Sequence, residues 1–365
     1  MKDHRKNPPH HLTIRVTHRD DPVSEVTEQD TMRAAERFPN VVIRGPVFGF
    51  ATQSPDDGES WRLLSDVSDG FPQHSRDGLN SHLWFRAKNE TRPGQPLRDE
   101  LLAAVARLET EPVDELMVGD TRYRIVRGDE FARTGADGIE GPRPTDPDDS
   151  RRDIGDRGRN SACRTTGFVI DHARATGIME SIQRMELLPL RYQAERIPRD
   201  VREDSVRALQ THPGVVLLPA TFTFAERKQA SWEPMAGLHP SPQDARATLY
   251  NYLAEFLPKL EQDISDAEAE VYATAAEQYR AGPPRDELRV LGRRFQIIRV
   301  ERLMRIGPDG PEPPRTTDTD PYGPMRLHPP LAEVEEREER ERRESGADDD
   351  PQCARQGHEP STEGN

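Results

Sequence analysis

The chain of 365 residues lacks the features that tie a protein to an oxidising compartment or a membrane. Its two cysteines, Cys163 and Cys353, are too few for a disulfide framework and do not form a metal-binding pair. No apolar run approaches the roughly 18 residues of a membrane span, because the longest candidate, Val215–Leu218, ends at Pro219. The basic N-terminus leads to no apolar signal core. We therefore expect a cytoplasmic protein with no membrane partner.

Positive charge is also scarce relative to negative charge. The chain has 51 basic and 66 acidic residues, which gives a formal net charge of −15. A protein that binds the nucleic-acid backbone needs a net basic face to release counterions, and the overall field of this chain opposes that approach. We therefore expect no nucleic-acid partner.

Sequence motifs of known catalytic or nucleotide-binding sites are missing. The glycine loops that bind phosphates, the nucleophile elbow of hydrolases, the zinc-protease helix and the CxxC pair are all absent. The stretch that begins at Asp318 resembles the start of a calcium loop. Its twelfth position (318 + 11 = 329), however, is Pro329, where a bidentate glutamate is required. The sequence predicts no metal and no cofactor, and it identifies no catalytic residue.

What the chain does contain is a long internal repeat. Residues 114–148 align without a gap with residues 286–320 (286 − 114 = 172), and 17 of the 35 positions are identical. Unrelated segments would share only about 2 or 3 of them. Residues 30–52 also match residues 204–226 (204 − 30 = 174), with 9 of 23 positions identical. A copy of about 140 residues has the size of an ordinary domain rather than of a solenoid repeat.

The repeat predicts an α+β fold of two tandemly duplicated units, each an antiparallel sheet with packed helices. The first unit is expected at residues 12–148 and the second at residues 167–330. A linker rich in proline, aspartate and arginine, residues 149–166, would separate them. We expect a disordered N-terminus at residues 1–11 and a charged, helical or disordered tail at residues 331–365.

Local patterns predict individual elements. Two aspartates before Pro22 indicate the start of a helix, and the β-branched and aromatic segment Val41–Thr52 indicates a long strand. Alternating apolar residues predict a short strand at residues 12–16 and a corresponding strand at residues 186–190. From Glu333 onward, Glu–Arg pairs at i,i+4 spacing predict a helix that is polar all round and has no face to bury.

The best candidate site is a motif that closes both copies, Glu-x-Pro-Arg-x-Thr-Asp-x-Asp. One interpretation is a ligand clamp, in which Arg143 and Arg315 are planar donors held by Asp146 and Asp318. The alternative is structural: an internal Arg–Asp pair and a Thr/Asp cap hold the chain where it leaves the unit. A duplicated fold retains both kinds of residue, so the repeat alone does not choose between them.

Residues without a counterpart in the other copy are the second place to look for function. Gly167–Asp171 resembles a strand that is missing from the first copy, and His172 follows it. A histidine beside an aspartate can serve as a general base, but such a pair is more often a surface or capping contact. The sequence offers no third group that would decide between these roles.

Three segments together resemble a streptomycete family of unknown function. They are Asp21-Pro22 before a helix, the run Arg37–Gly49, and the run Arg305–Arg315. The similarity covers roughly residues 12–330. It implies an actinobacterial, cytoplasmic origin, and it implies no chemistry, because the family carries no established activity.

Two functional classes remain open at this point. The first is a non-catalytic binding or regulatory module, with a cleft between two units that pair pseudo-symmetrically within the chain. Its partner would be a small molecule or another protein. The second is a hydrolase or transferase that acts on an anionic small molecule held by arginines. That second hypothesis requires Arg143 or Arg315 in a pocket with an aspartate or histidine within hydrogen-bond reach.

Overall fold

A computed structural model of the protein describes residues 14–17, 21–58, 60–148, 165–171, 174–229, 231–261 and 263–344. The expected disordered N-terminus, His172, both cysteines and most of the expected linker lie outside the described residues. We refer to the described residues up to 148 as the N-terminal half and to those from 165 onward as the C-terminal half.

The elements of the N-terminal half begin with a helix whose N-cap is Asp21, just before Pro22, as the sequence predicts. In chain order they are α1 (Pro22–Arg37), β1 (Asn40–Gln53), a 3₁₀ turn (Pro55–Asp57), β2 (Trp61–Leu63), α2 (Pro72–Glu90), α3 (Pro96–Leu108), β3 (Glu115–Val118), β4 (Thr121–Gly135) and β5 (Gly138–Ile139).

The elements of the C-terminal half follow a similar order after two that have no described counterpart. They are β6 (Val169–Ile170), α4 (Ile178–Leu187), α5 (Arg199–Thr211), β7 (Gly214–Leu217), β8 (Thr221–Lys228), β9 (Ser231–Pro234), α6 (Pro242–Asn251), a π-helical turn (Tyr252–Phe256), α7 (Leu257–Leu260), α8 (Asp266–Ala281), β10 (Glu287–Val290), β11 (Arg293–Gly307), β12 (Gly310–Pro311) and α9 (Leu331–Glu344).

The strands form one open sheet, and every strand pair in it is antiparallel. The main path runs β6-β2-β1-β4-β11-β8-β9, and the remaining strands pair with β4 or β11. The mixture of this sheet with packed helices confirms the α+β class. The expectation of a separate sheet in each unit was wrong, because β4 of one half pairs directly with β11 of the other.

The pairing of β4 with β11 joins positions that correspond in the sequence repeat. Glu130 pairs with Arg302, which lies 172 positions later (302 − 130 = 172). On either side, Phe131 pairs with Glu301, and Asp129 pairs with Leu303. Corresponding residues of the two halves therefore meet at the centre of the sheet.

An irregularity beside this junction occurs in both halves. In β1 the register shifts between Ile43 and Gly45, next to Pro46. In the C-terminal half the strand is interrupted outright, and residues 218–220 separate β7 from β8. Pro219 lies within this interruption, and a proline cannot donate to the ladder.

Two helix-covered cores lie on either side of the central strands. α2 and α3 cover the N-terminal core, which includes Leu83 and Leu101, and α6 to α8 cover the C-terminal core. The expectation that the final helix buries nothing was wrong, because Leu331 and Val334 of α9 pack into the N-terminal core. Lys88 of α2 and Arg98 of α3 pair with Glu338 and Glu335 of α9.

The prediction of a strand at residues 186–190 was also wrong. α4 extends to Leu187, whose side chain is buried beside Phe131 at the centre of the sheet. Leu188 and Leu190 follow the helix and pack against the same cluster. In the corresponding N-terminal segment, the described residues include only an isolated parallel bridge between Val16 and Thr176.

Candidate functional site

The closing motifs of the two halves each reach across the central strands. The carboxylate of Asp318 accepts hydrogen bonds from Arg127 Nε in β4, at 3.0 and 3.2 Å. The carboxylate of Asp146 accepts them from Arg299 Nε in β11, both at 3.2 Å. Arg127 and Arg299 are themselves 172 positions apart (299 − 127 = 172). Each motif therefore belongs to one half and contacts the opposite one.

The motif arginines pair within their own motif. Arg143 Nε donates to Glu140 at 2.7 Å, and Arg315 Nε donates to Glu312 at 2.7 Å. Both side chains are buried, with 8% and 6% of their surface exposed. The structural interpretation had expected an internal Arg–Asp side-chain pair. Instead, the motif aspartate accepts from the backbone N–H of the motif arginine, at 2.8 Å for Arg143 and 2.7 Å for Arg315.

The last aspartate of each motif also pairs with an arginine of the opposite half. Asp320 accepts from Arg76 Nη1 of α2 at 2.5 Å, and Asp148 accepts from Arg246 Nη1 of α6 at 2.7 Å. These aspartates and arginines lie in opposite halves of the chain. The motif threonine, by contrast, donates to a helix of its own half: Thr145 to Asp30 of α1 and Thr317 to Asp204 of α5, both at 2.7 Å.

The buried charges hold each other ionised. Burial opposes charge on both members of the Arg299–Glu301 pair. The Arg299 guanidinium nevertheless lowers the pKa of Glu301 to about 2, and the Glu301 carboxylate raises the pKa of Arg299 above its ordinary value. Near neutral pH, Glu301 therefore carries a full negative charge and holds no proton to donate.

An open cleft of about 1130 Å³ lies between α1 of the N-terminal half and α4 of the C-terminal half. Its other walls are formed by the segment around β6 and by residues 216–220, which include the interruption between β7 and β8. Arg143, Arg299 and Glu301 also line it. The cleft thus lies where the first motif crosses onto β11, and both halves contribute to it.

The two motif arginines differ in how fully their guanidinium groups are paired. Arg315 forms a bidentate pair with Glu312, because Nη2 also donates to that carboxylate at 3.1 Å. Arg143 donates to Glu140 through Nε only, and its Nη1 donates to Thr31 at 3.3 Å. Within the described residues, no hydrogen-bond acceptor contacts the buried Nη2 of Arg143. Only the Arg143 copy lines the cleft.

In the cluster around the second motif, Arg315 and Asp318, a tyrosine hydroxyl contacts the arginine of β4. Tyr192 Oη accepts from Arg127 Nη2 at 2.9 Å and donates to Asp129 at 2.6 Å. In the cluster beside the cleft, the side-chain hydrogen bonds of Arg299 to other described residues go to Asp146 and Glu301. No described hydroxyl occupies the place against Arg299 that Tyr192 occupies against Arg127.

Two further unpaired donors come from α4. Gln183 Nε2 and Arg184 Nε are buried, line the cleft, and contact no hydrogen-bond acceptor in the described part of the chain. The Glu180 carboxylate lies 3.6 Å from Arg184 Nε, which is beyond a normal hydrogen bond. Burial lowers the pKa of Arg184, against the raising effect of Glu180.

Several acidic residues that line the cleft are already engaged. Glu28 of α1 accepts from the backbone N–H of Met179 at 2.7 Å and so caps the N-terminus of α4. Asp21 caps α1 by accepting from the N–H of Ser24 at 2.9 Å. Glu301 pairs with Arg299. These carboxylates stabilise the walls of the cleft.

The structure brings the predicted site residues together in two clusters rather than one. Arg143 and Asp146 lie beside the cleft, whereas Arg315 and Asp318 lie in the cluster that Tyr192 completes. Sequence reasoning missed Gln183 and Arg184, which lie in a segment with no described counterpart in the other half. Of the expected strand Gly167–Asp171, only Val169–Ile170 form a strand, β6, and Phe168, Val169 and Asp171 line the cleft.

The described residues also bear on two other kinds of feature, a metal site and a membrane-spanning helix. Nowhere among them do three histidine, cysteine, aspartate or glutamate side chains stand in a group that could hold a metal ion. Across the same residues, no helix combines the length and the apolar character needed to cross a membrane.

Comparison with known families gives one match. A family model described as "Family of unknown function (DUF5954)" matches residues 21–321, which include both halves and both closing motifs. No curated protein and no solved structure shows significant similarity to the chain.

Proposed function

The chain belongs to this family of unknown function, DUF5954, and we propose that it is a non-catalytic binding protein whose small-molecule ligand occupies the cleft between α1 and α4. One observation carries the proposal: three residues that line the cleft have a buried donor atom with no hydrogen-bond acceptor in the described residues, namely Arg143 Nη2, Gln183 Nε2 and Arg184 Nε. Leaving a buried donor unpaired costs about 1–3 kcal/mol, so a ligand that pairs it gains that energy.

The chemistry of the lining favours binding over catalysis. The Glu301 carboxylate lies 3.7 Å from Arg143 Nη2 and stays ionised because its pKa is lowered to about 2. A general acid or base near neutral pH needs a pKa close to the working pH. The described lining residues include no histidine. The hydrolase or transferase hypothesis therefore has no observation in its favour at this site.

The ligand-clamp hypothesis applies, in this proposal, to the first motif alone, which contains Arg143 and Asp146. We propose that Arg143, positioned by Asp146 and Glu140, contacts the ligand. Arg315 and Asp318 then serve the structure of the opposite cluster, because the guanidinium of Arg315 is already bidentate to Glu312.

The origin of the architecture is part of the same proposal. We infer that the chain consists of two tandemly duplicated units, residues 12–148 and 167–330, that pair pseudo-symmetrically. The matching contacts of Arg127 and Arg299 and the central Glu130–Arg302 pair support this. The scarcity of cysteine and the resemblance to a streptomycete family support a cytoplasmic, actinobacterial protein.

A thermal-shift panel tests the binding function. Nucleotides, metal ions, acyl phosphates, sugar phosphates and simple carboxylates are added separately to the full chain, because a ligand of the native state raises Tm by mass action. Thr27→Trp places a bulky ring on the α1 wall of the cleft, and Arg33→Trp, on α1 but outside the cleft, is the matched control. We expect at least one compound to shift the wild type and Arg33→Trp but not Thr27→Trp. Equal shifts in both variants would contradict the proposal.

A further inference from the structure

We propose that the ligand is a carboxylate with an apolar body, and that Arg143, Gln183 and Arg184 bind its carboxylate group. This inference rests on the proposed function of the cleft and names the chemistry of its ligand.

Among the described residues, the buried side-chain atoms of the cleft lining that have no hydrogen-bond partner are all donors. They are Arg143 Nη2, Gln183 Nε2 and Arg184 Nε, and each is buried. An ionised carboxylate has two oxygens with about four acceptor sites and no donor, so it complements such a set. Hydrogen bonds from arginine to a carboxylate are shorter and stronger than neutral ones, particularly where water is excluded.

The cluster around Arg127 and Asp318 shows which chemical group pairs with the arginine that corresponds to Arg299. There the side chain of Tyr192 brings an oxygen that accepts from Arg127 Nη2. Arg299, the corresponding arginine, lines the cleft instead. A ligand oxygen at that place would complete the second cluster from outside the chain, as the tyrosine hydroxyl completes the first from within it.

The remainder of the wall suits an apolar body. Residues 216–220 contribute the sequence Val-Leu-Leu-Pro-Ala, and Phe168 and Met179 line the cleft as well. Apolar surface that leaves water gains about 25 cal/mol per Å². An amphiphilic carboxylate satisfies both parts of the lining, whereas a small polar anion satisfies only the donors.

The acidic residues of the lining do not exclude an anion. Glu28 and Asp21 are engaged as helix caps, and Glu301 is paired with Arg299. Glu25 accepts from Gln29, and Glu180 and Asp171 interact electrostatically with Arg184. A cationic ligand would have to compete with these contacts and would leave the three donors unpaired. The arrangement therefore favours acceptors over positive charge.

Isothermal titration of the full chain with four octyl probes tests the inference. The probes are octanoate, octanamide, octyl phosphate and octylamine, which share the apolar body and differ in the headgroup. We expect octanoate to bind at least about tenfold more tightly than octanamide, because a charge-assisted hydrogen bond is worth more than about 1.4 kcal/mol. Octylamine should bind most weakly.

Variants locate the headgroup. Gln183→Met keeps the size of the side chain and removes the donor, and Arg143→Lys keeps the charge and removes the guanidinium, including Nη2 and the donors to Glu140 and Thr31. Each should weaken octanoate binding by about tenfold and change octanamide binding less. Arg315→Lys is the matched control at the corresponding position outside the cleft, and it should leave both affinities unchanged. Circular dichroism and Tm establish that each variant is folded.

The outcomes separate this inference from the proposed function. Octanoate and octanamide binding equally well, or octylamine binding best, would overturn the carboxylate and leave the cleft as a binding site. Tighter binding of octyl phosphate than of octanoate would replace the carboxylate by a phosphate ester. Failure of all four probes would overturn the amphiphilic carboxylate, and the cleft itself would then be judged by the broader thermal-shift panel with its Thr27→Trp variant.

Discussion

Replacing Arg127 by methionine removes the side chain that joins the two halves at one crossing. In the folded protein, 1% of this side chain is exposed. Its guanidinium donates to Asp129 of its own half at 2.9 Å and to Asp318 and Tyr192 of the other half. Methionine is unbranched and fills the channel of the arginine stem, so the change isolates the loss of the donors.

The expected cost follows from the two carboxylates that remain behind. Removing one partner of a buried ion pair typically destabilises a protein by about 3–5 kcal/mol, because the other charge stays buried without compensation. Total stabilities of native domains are about 5–15 kcal/mol, so Arg127→Met should remove a large fraction of the free energy of unfolding. The same reasoning applies to Arg299→Met at the other crossing.

The loss should also depend on pH in a defined direction. In the intact protein, burial raises the pKa of Asp318 despite the lowering effect of Arg127, and without Arg127 the pKa of this carboxyl rises further. A carboxyl whose folded pKa lies above its unfolded value destabilises the fold as pH rises through that folded pKa. Arg127→Met should therefore lose more stability, relative to wild type, at about pH 8 than at about pH 5.

Urea denaturation followed by tryptophan fluorescence at the two pH values measures both effects. Arg107→Met is the control, because Arg107 forms a surface pair with Glu111 in which both side chains are about half exposed. Its free energy of unfolding should stay within about 0.5 kcal/mol of wild type. A loss below about 1 kcal/mol for Arg127→Met, or a loss that does not change with pH, would refute the reasoning.

Three further predictions concern other contacts. Burial opposes the charge of Glu301, but neighbouring arginines lower its pKa from an ordinary 4.5 to about 2 in the folded protein. The wild type should therefore lose stability as the pH falls from about 4.5 to about 2, and Glu301→Gln should lose less over the same range. An acid titration of unfolding measures both losses. Gly310→Ala places a Cβ against Nε1 of Trp61, well inside van der Waals contact, at φ 109°, whereas at Gly138, with φ 115°, the nearest atom is 3.8 Å away. Both changes strain the backbone, and Gly310→Ala should cost about 1–3 kcal/mol more in chemical denaturation; equal costs would contradict the close packing. Leu331→Ala should cost about 2–5 kcal/mol by the same assay, because α9 completes the N-terminal core; a cost below 1 kcal/mol would show that α9 is not part of it.

Local patterns in the sequence predicted individual elements well. Pro22 after an aspartate cap begins α1, and the segment Val41–Thr52 lies within β1, because both signals act on the backbone directly. The helix at Ser265 begins with a capping box in which Ser265 and Glu268 bond reciprocally, which the sequence spacing also indicates. Elements with a local physical cause could therefore be read from the sequence.

Contacts between the halves could not be read in the same way. Nothing in the spacing of β4 shows that its partner is β11 of the other copy, because a strand edge is compatible with many partners. The crossing of Asp318 to Arg127 likewise depends on tertiary structure, and an Arg–Asp pair inside the motif was the simpler expectation. In α9, two apolar residues among many charges carry the docking, which a whole-helix pattern does not reveal.

The candidate site was only half predictable for a related reason. Arg143 and Asp146 stood out because the motif occurs twice, but repetition could not separate the copy beside the cleft from the copy in the closed cluster. Gln183 and Arg184 have no described counterpart, and their importance follows from the burial of donors without acceptors, which depends on the tertiary structure. The alternation of Leu188 and Leu190 also suggested a strand where α4 ends.

A crystal structure of the protein with octanoate, or with another compound that shifts its Tm, tests the central claim most directly. The account predicts electron density for the ligand between α1 and α4, with an acceptor atom within hydrogen-bond distance of Arg143 Nη2 and Gln183 Nε2. Density for the ligand at another surface, or a cleft closed by protein groups that pair with Arg143 Nη2, would contradict it.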